Sequence, residues 1–333
     1  MMLKRKYTRI LTLKLSSISF GLLLGSQLFA QDFHFTQFYA NKLYLSPSFA
    51  GATAQNRFIA NYRNQWPAVN GFVTYAASFD HYFSNFNSGL GFMLMRDVAG
   101  DGNLGITNLG VYYSYDIALN EFVHYRPGVS LSYLQHSIDQ SKLHYSSQIT
   151  SDGVQPPTTS YSTDRIGAPD AAASSIIYSK NWWLGLTVDH LMRPNMSLMG
   201  NVDRVDMKMA LFGGATIIRN GRLLKPVDET VTVAFQCQKM GTSLQTDIGL
   251  YWAKIPLTFG IWYRGLPGLN SDRGDMLALL VGFKTNHFGI GYSYDFTISN
   301  LVNMTSGAHE ISLSYEFSKK MKKKMHAVPC PEL

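Results

Sequence analysis

The chain has 333 residues, 13% aromatic and only 15% charged, against roughly 25% charged in an average soluble domain. Its formal charge of +7 sits at the ends. Five positive charges precede residue 15 and a net four follow Phe317, so the region between carries −2. That leaves no basic face for nucleic acid. The lack of any apolar run of about 20 residues after residue 30 excludes a helical membrane protein.

The N-terminus begins with Lys4, Arg5, Lys6, Arg9 and Lys14, followed by an apolar stretch from Leu15 to Leu24 and then Gly25 to Ala30. This order predicts a secretory signal peptide over residues 1–30, cleaved after Ala30. The apolar stretch is too short for a membrane anchor. No Cys lies at the cleavage point, which excludes a lipoprotein.

From residue 31 to 317 the chain reads as one all-β domain. Phe288, Ile290, Tyr292, Tyr294 and Phe296 alternate with Gly289, Gly291, Ser293 and Asp295. Ile311, Leu313, Tyr315 and Phe317 alternate with Ser312, Ser314 and Glu316. A strand has period two, so each segment has an apolar face and a small or polar face. Segments of this kind fall at 55–65, 70–82, 88–98, 105–119, 121–136, 170–180, 181–192, 206–219, 229–240, 242–253, 255–265, 275–285, 287–297 and 308–317. Most approach the ~9–11 residues that cross a bilayer as a tilted strand. The expected fold is a transmembrane antiparallel β-barrel of about 14 strands, apolar face to lipid and polar face to the lumen. The alternation breaks where Met93 and Met95 oppose Leu90, Phe92 and Leu94.

Connections are short after strands 2, 4, 6, 10 and 12. They are longer after strands 5, 7, 11 and 13, the longest covering roughly 137–169. Short periplasmic turns and long extracellular loops would put both termini in the periplasm. A short link near Gly241 and a longer one from Asn220 to Asp228 depart from the rule. Beyond Phe317, residues 318–333 form a periplasmic tail with Lys319, Lys320, Lys322, Lys323 and Lys324. It reads either as a solvated extension or as a docking segment.

No catalytic constellation stands out. His190 adjoins Asp189, but strand neighbours point to opposite faces and do not form a base–orienter pair directly. His34, His81, His124, His136, His144, His287 and His309 lack metal-ligand spacing. Cys237 and Cys330 lie far apart and read as unpaired thiols, with no zinc pattern. Arg63, Gln65 and Trp66 fall at the outer end of the first strand, as a partner contact or as an interfacial Trp with lumen-facing neighbours. Asp295 and Glu316 should face the lumen, with Arg63, Arg264 and Lys284 as charge partners, because buried charges need partners. His309 and Glu310 open the last strand, and the same logic gives them a structural role. Tyr292 and Tyr294 complete the partner-binding or structural candidates.

Several stretches are specific enough to carry a resemblance. They are DFHFTQFYANKLYLSPSFAG from Asp32 to Gly51, YRNQW from Tyr62 to Trp66, and APD at 168–170. NWWLGLTVDHLMRP at 181–194, WYRGLP at 262–267, GYSYDFTIS at 291–299 and GAHEISLSYEF at 307–317 follow. Together they resemble the PorP/SprF family of the type IX secretion system across nearly the whole mature chain. Ser46 stands where the family usually has Asn, and Val73 where Pro is common.

The resemblance implies a non-enzymatic outer-membrane barrel serving type IX secretion. Some members associate with a periplasmic ring. Others are paired with a large secreted adhesin, as in gliding motility, and are needed for its export or surface attachment. The implied partners are outer-membrane lipid, a secreted substrate such as an adhesin, and secretion-machine proteins, with no cofactor. The rival reading is a passive porin or small-solute transporter. An enzyme would need a clustered nucleophile and base that the sequence does not offer.

Overall fold

The computed structural model describes residues 35–37, 41–53, 55–100, 102–143, 149–150, 153–154, 163–221, 227–266, 276–298 and 306–317. The expected signal peptide, His34, His144, Cys330 and the lysines from Lys319 to Lys324 lie outside them, as does much of the 137–169 connection.

Fourteen long strands are described: β1 Asn56–Gln65, β2 Phe72–Phe83, β3 Ser88–Ala99, β4 Leu104–Tyr115, β5 Val123–Ser137, β6 Arg165–Ser179 and β7 Trp182–Asp189. They continue as β8 Lys208–Gly221, β9 Val227–Met240, β10 Ser243–Lys254, β11 Leu257–Arg264, β12 Met276–Lys284, β13 Phe288–Thr297 and β14 Ala308–Phe317. Each pairs antiparallel with its sequence neighbours, and β1 pairs with β14, Ala60 opposite Leu313, to close the barrel. Closure is what the lipid environment demands, since an open edge would leave backbone polar groups unpaired in hydrocarbon. Among the described residues no helix is long and apolar enough to cross a membrane.

All fourteen expected segments are strands. The largest boundary difference is β6, which starts at Arg165 and so includes the APD stretch. Pro169 removes a donor but lies near the strand's beginning, where the cost is small.

The faces follow the alternation. Ile290, Tyr292, Leu313 and Tyr315 point outward and are about two-fifths exposed, whereas Ser293 is fully buried. Outward aromatics cluster near both strand ends: Phe83, Tyr115, Trp252 and Phe317 at one, Tyr62, Tyr75 and Tyr133 at the other. Such girdles suit the two membrane interfaces.

The inward face is not uniformly small and polar. Met93, Met95, Ile176, Tyr178, Trp183, Phe212, Tyr251 and Trp262 are all buried inside. An aqueous lumen would not favour these side chains. The breaks in alternation at Met93 and Met95 have the same cause: the interior packs against protein.

Candidate functional site: a segment held inside the barrel

The protein inside is the chain's own N-terminal part. Thr36 and Gln37 contact β13 and β14 at the level of Arg63, toward the end where β1 finishes. Pro47–Phe49 is a single turn lying against β4, β5 and β6. Ala50 and Gly51 reach β2 and β4 near the opposite end, where β1 starts. The described residues 35–37 and 41–53 therefore lie along the interior, from one end to the other, before the first strand begins.

Local sequence explains why this stretch is not a strand. The Asn41 side chain accepts from the Tyr44 backbone and caps the short helix α1, Lys42–Leu45. Ser46 caps the following turn, which Pro47 opens. Side-chain oxygens capping successive turns, with Pro at the first position, favour helical turns over a ladder.

At one end the segment is fixed by buried charges. Arg63 on β1 donates to Glu310 on β14 at 3.1 Å and to Asp295 on β13 at 2.8 Å. Arg264 on β11 lies 3.8 Å from Asp295 and 3.7 Å from Asp247 on β10. The Thr36 hydroxyl enters this cluster. It donates to Asp295 at 2.6 Å and accepts from Arg63 at 2.6 Å and Arg264 at 3.0 Å. One donor and two acceptor sites are all a hydroxyl has, so Thr36 is saturated.

The Thr36 and Gln37 amides donate to the two Glu310 carboxylate oxygens at 2.7 and 3.0 Å. The Gln37 side chain bridges Ser293 and Ser312, donating to the first at 3.1 Å and accepting from the second at 2.6 Å. Buried charges of this kind hold their place only when each is paired and hydrogen-bonded.

Farther along, the anchors are apolar and backbone-based. Leu45, Phe49 and Ala52 join a buried cluster with Ile176, Tyr178, Trp183, Phe212 and Trp262. The Phe49 and Phe212 rings are 5.7 Å apart. Thr187 donates to the Leu45 carbonyl at 3.3 Å and Ser114 to the Ala50 carbonyl at 2.7 Å. Ser48 bonds Ser174 through its amide at 2.9 Å. The Gly51 amide donates to Asp80, which also accepts from Arg57, both at 3.0 Å.

Two wall glycines make this approach possible. A Cβ at Gly128 would collide with the Pro47–Ser48 backbone, and one at Gly89 with the Ala50 carbonyl. Neither has unusual backbone angles; their role is clearance.

The predicted site residues divide between two faces. Arg63, Asp295 and Glu310 come together as the charge cluster, and Gln65 accepts from the Arg63 guanidinium at 3.1 Å. Lys284 stands 4.0 Å from Glu316. Trp66 ends β1 in a left-handed conformation, its amide donating to the Gly307 carbonyl at 2.8 Å and its ring against Phe72.

Tyr292, Tyr294 and His309 stay outside. The Tyr292 hydroxyl lies 2.8 Å from His309 Nδ1, and the Tyr294 ring 4.8 Å from the His309 ring. His190 bonds Asp170 at 2.6 Å, and Asp189 meets Lys208 at 3.3 Å. Among the described residues no group of His, Cys, Asp or Glu could hold a metal ion.

Thr36 and Gln37 lie in the Asp32–Gly51 stretch, to which sequence alone gives no role at these two positions. The signal that could have found them is polar residues in a segment without period two, next to a barrel with buried charges to satisfy.

The family described as "Type IX secretion system membrane protein PorP/SprF" matches residues 27–315. No curated protein matches. Among solved structures, the toluene transporter TodX of Pseudomonas putida is 10% identical, covering 86% of this chain and 95% of its own, with a TM-score of 0.45. The KdgM porin is 10% identical over 79% of this chain and 99% of its own, TM-score 0.37. BamA of Haemophilus ducreyi lacking POTRA domains 1–3 is 8% identical over 80% and 70%, TM-score 0.40.

Proposed function

The chain belongs to the PorP/SprF family of type IX secretion system membrane proteins, and from that premise we propose that it works by holding protein partners rather than by conducting solutes. In this reading it is a non-enzymatic outer-membrane component, exported by a signal peptide that is cleaved after Ala30. It binds or anchors a secreted surface protein such as a large adhesin of the kind used in gliding motility. It also contacts the secretion machinery from the periplasmic side, where both Phe317 and the Lys-rich tail would lie.

The observation that carries this reading is the occupied interior. Leu45, Phe49 and Ala52 pack into an apolar cluster at one level, and Thr36 and Gln37 into a five-charge cluster at another. A diffusion pore for small solutes keeps its lumen open and wet. A barrel whose lumen is built around its own chain is instead a rigid platform, and its loops and turns are free for partners. The cationic tail from Lys319 would favour an acidic surface, with rim charges chiefly raising association rate and salt sensitivity.

The test is removal of the gene, followed by measurement of surface display of the type IX substrates, with co-purification of the tagged native protein. Loss of display and recovery of a secreted or machine protein support the reading. Normal display together with large conductance steps of the purified barrel in planar bilayers would make it a porin.

A further inference from the structure

We propose that the barrel interior contains a binding site for a small oxyanion, a phosphate or a carboxylate, at the end where β1 begins and β14 finishes. The proposal is independent of the secretion role. A cavity of about 100 Å³ lies there between the internal segment and the wall of β1, β11, β12, β13 and β14. Roughly 10–15 Å³ of such space holds one water, so the cavity has room for a tetrahedral or trigonal oxyanion.

Three cationic side chains line it: Lys42 of the internal segment, Arg57 of β1 and Lys284 of β12. Lys42 and Arg57 are more than nine-tenths buried, at 6% and 4% exposure. Arg57 uses Nε on Asp80 at 3.0 Å, while its Nη2 is buried with no hydrogen-bond partner. A guanidinium fork matches oxyanion geometry, and a bound anion would give that nitrogen its acceptor.

Hydroxyls of Thr258 and Ser314 line the same space, Ser312 there giving its proton to Gln37, and Gly282, Gly289 and Gly291 keep the wall low beside them. The carboxylates nearby are Glu316, which lines the cavity and lies 4.0 Å from Lys284, and Asp80 behind Arg57. Three cations against two carboxylates leave a net positive site. The rest of the wall is largely apolar, with Ile59 and Leu280 beside these groups, and a mostly apolar pocket with a few placed polar groups is the usual make-up of a small-ligand site. The two buried cations, Lys42 and Arg57, select an oxyanion.

The test uses the full mature barrel in neutral detergent. Inorganic phosphate and acetate are titrated separately at constant ionic strength against chloride, by calorimetry and by thermal unfolding. The expected result is saturable binding of at least one of the two, with a matching rise in melting temperature. Lys42→Met and Arg57→Gln should each weaken it at least tenfold, Lys284→Met less, and Lys180→Met, at a distant exposed turn, not at all. Should Arg57→Gln fail to fold, Lys42→Met alone decides. Absence of saturable binding by either anion, or unchanged affinity in Lys42→Met, overturns the proposal.

Discussion

Arg63 and Glu310 stand directly opposite each other across the strand pair that closes the barrel, and their side chains meet inside it at 3.1 Å. The contact ties first strand to last at the level where the internal segment is fixed. Arg63→Met would leave Asp295 and Glu310 buried without their main cation. Breaking a buried pair from one side costs about 3–5 kcal/mol. The folded fraction on unheated gels, followed against urea, should show a destabilisation of that size. The double change Arg63→Met with Glu310→Gln should recover part of it. Equal stability of Arg63→Met and the native barrel would remove the cluster from the account of the fold.

Thr36 offers a finer probe, because its hydroxyl serves one carboxylate and two guanidinium groups at once. Thr36→Ser keeps the hydroxyl and should be nearly neutral. Thr36→Val keeps the shape and leaves buried charged partners short of a hydrogen bond, a loss of about 1–3 kcal/mol. The difference between the two variants in thermal unfolding isolates the hydroxyl. Indistinguishable melting curves would contradict the geometry.

The outward and inward faces make a direct comparison in β14. Leu313 points outward near mid-strand and Ser314 points inward. Leu313→Arg should destabilise by about 2–4 kcal/mol if that face meets the bilayer midplane. Ser314→Arg enters the positive cavity beside Arg57 and Lys284 and is repelled there, but Ser314 is only half-buried, so the new charge keeps part of its hydration and should still cost less than Leu313→Arg. The measurement is refolding yield into lipid vesicles. Equal losses would count against a lipid-facing position for Leu313.

Much of this architecture was legible in the sequence because a lipid-facing strand writes its period plainly. A charge-poor chain with Tyr, Phe and Leu at every second position leaves few other options, and Phe288–Thr297 shows both faces in ten residues. The pairing of Arg63 with Asp295 followed from facing and charge alone. The internal segment was not legible, since Phe35 to Thr53 has no period and its partners are scattered over most of the barrel's strands. Its trace was present as large apolar residues at inward positions. Met93 and Met95 read as imperfect alternation, and together with Trp262 they are walls of a packed interior.

Sidedness is open to chemical labelling. Asn120 lies in the connection between β4 and β5, at the end where β14 finishes; Val202 lies at the other end, in the long connection between β7 and β8, and is 77% exposed. If long connections face outward, a Val202→Cys variant should react with an impermeant maleimide on intact cells. Asn120→Cys should react only after the outer membrane is opened. Both native cysteines are replaced by Ser beforehand. The reverse pattern would invert the orientation and move the Lys-rich tail to the cell surface.

The last prediction concerns whether the internal segment blocks passage. Pro47 and Ser48 lie so close to Gly128 that even a methyl group there collides with their backbone. Gly128→Leu therefore forces the turn away from β5, while the outward face of that strand is untouched. The displaced turn loses the Ser48–Ser174 bonds and part of the Phe49 contact with Phe212. Those contacts fix the middle of the turn, while the Thr187–Leu45 and Ser114–Ala50 bonds hold its two flanks. The expected outcome is a barrel that still inserts but conducts ions in planar bilayers in more and larger steps than the native protein. A Ser48→Cys reporter, protected from thiol reagents in the native background, should become reactive in Gly128→Leu. If Gly128→Leu does not insert, Gly128→Ala is the milder version of the same push. An inserted variant that exposes Ser48→Cys without any gain in conductance would show that the segment scaffolds the barrel without being its barrier.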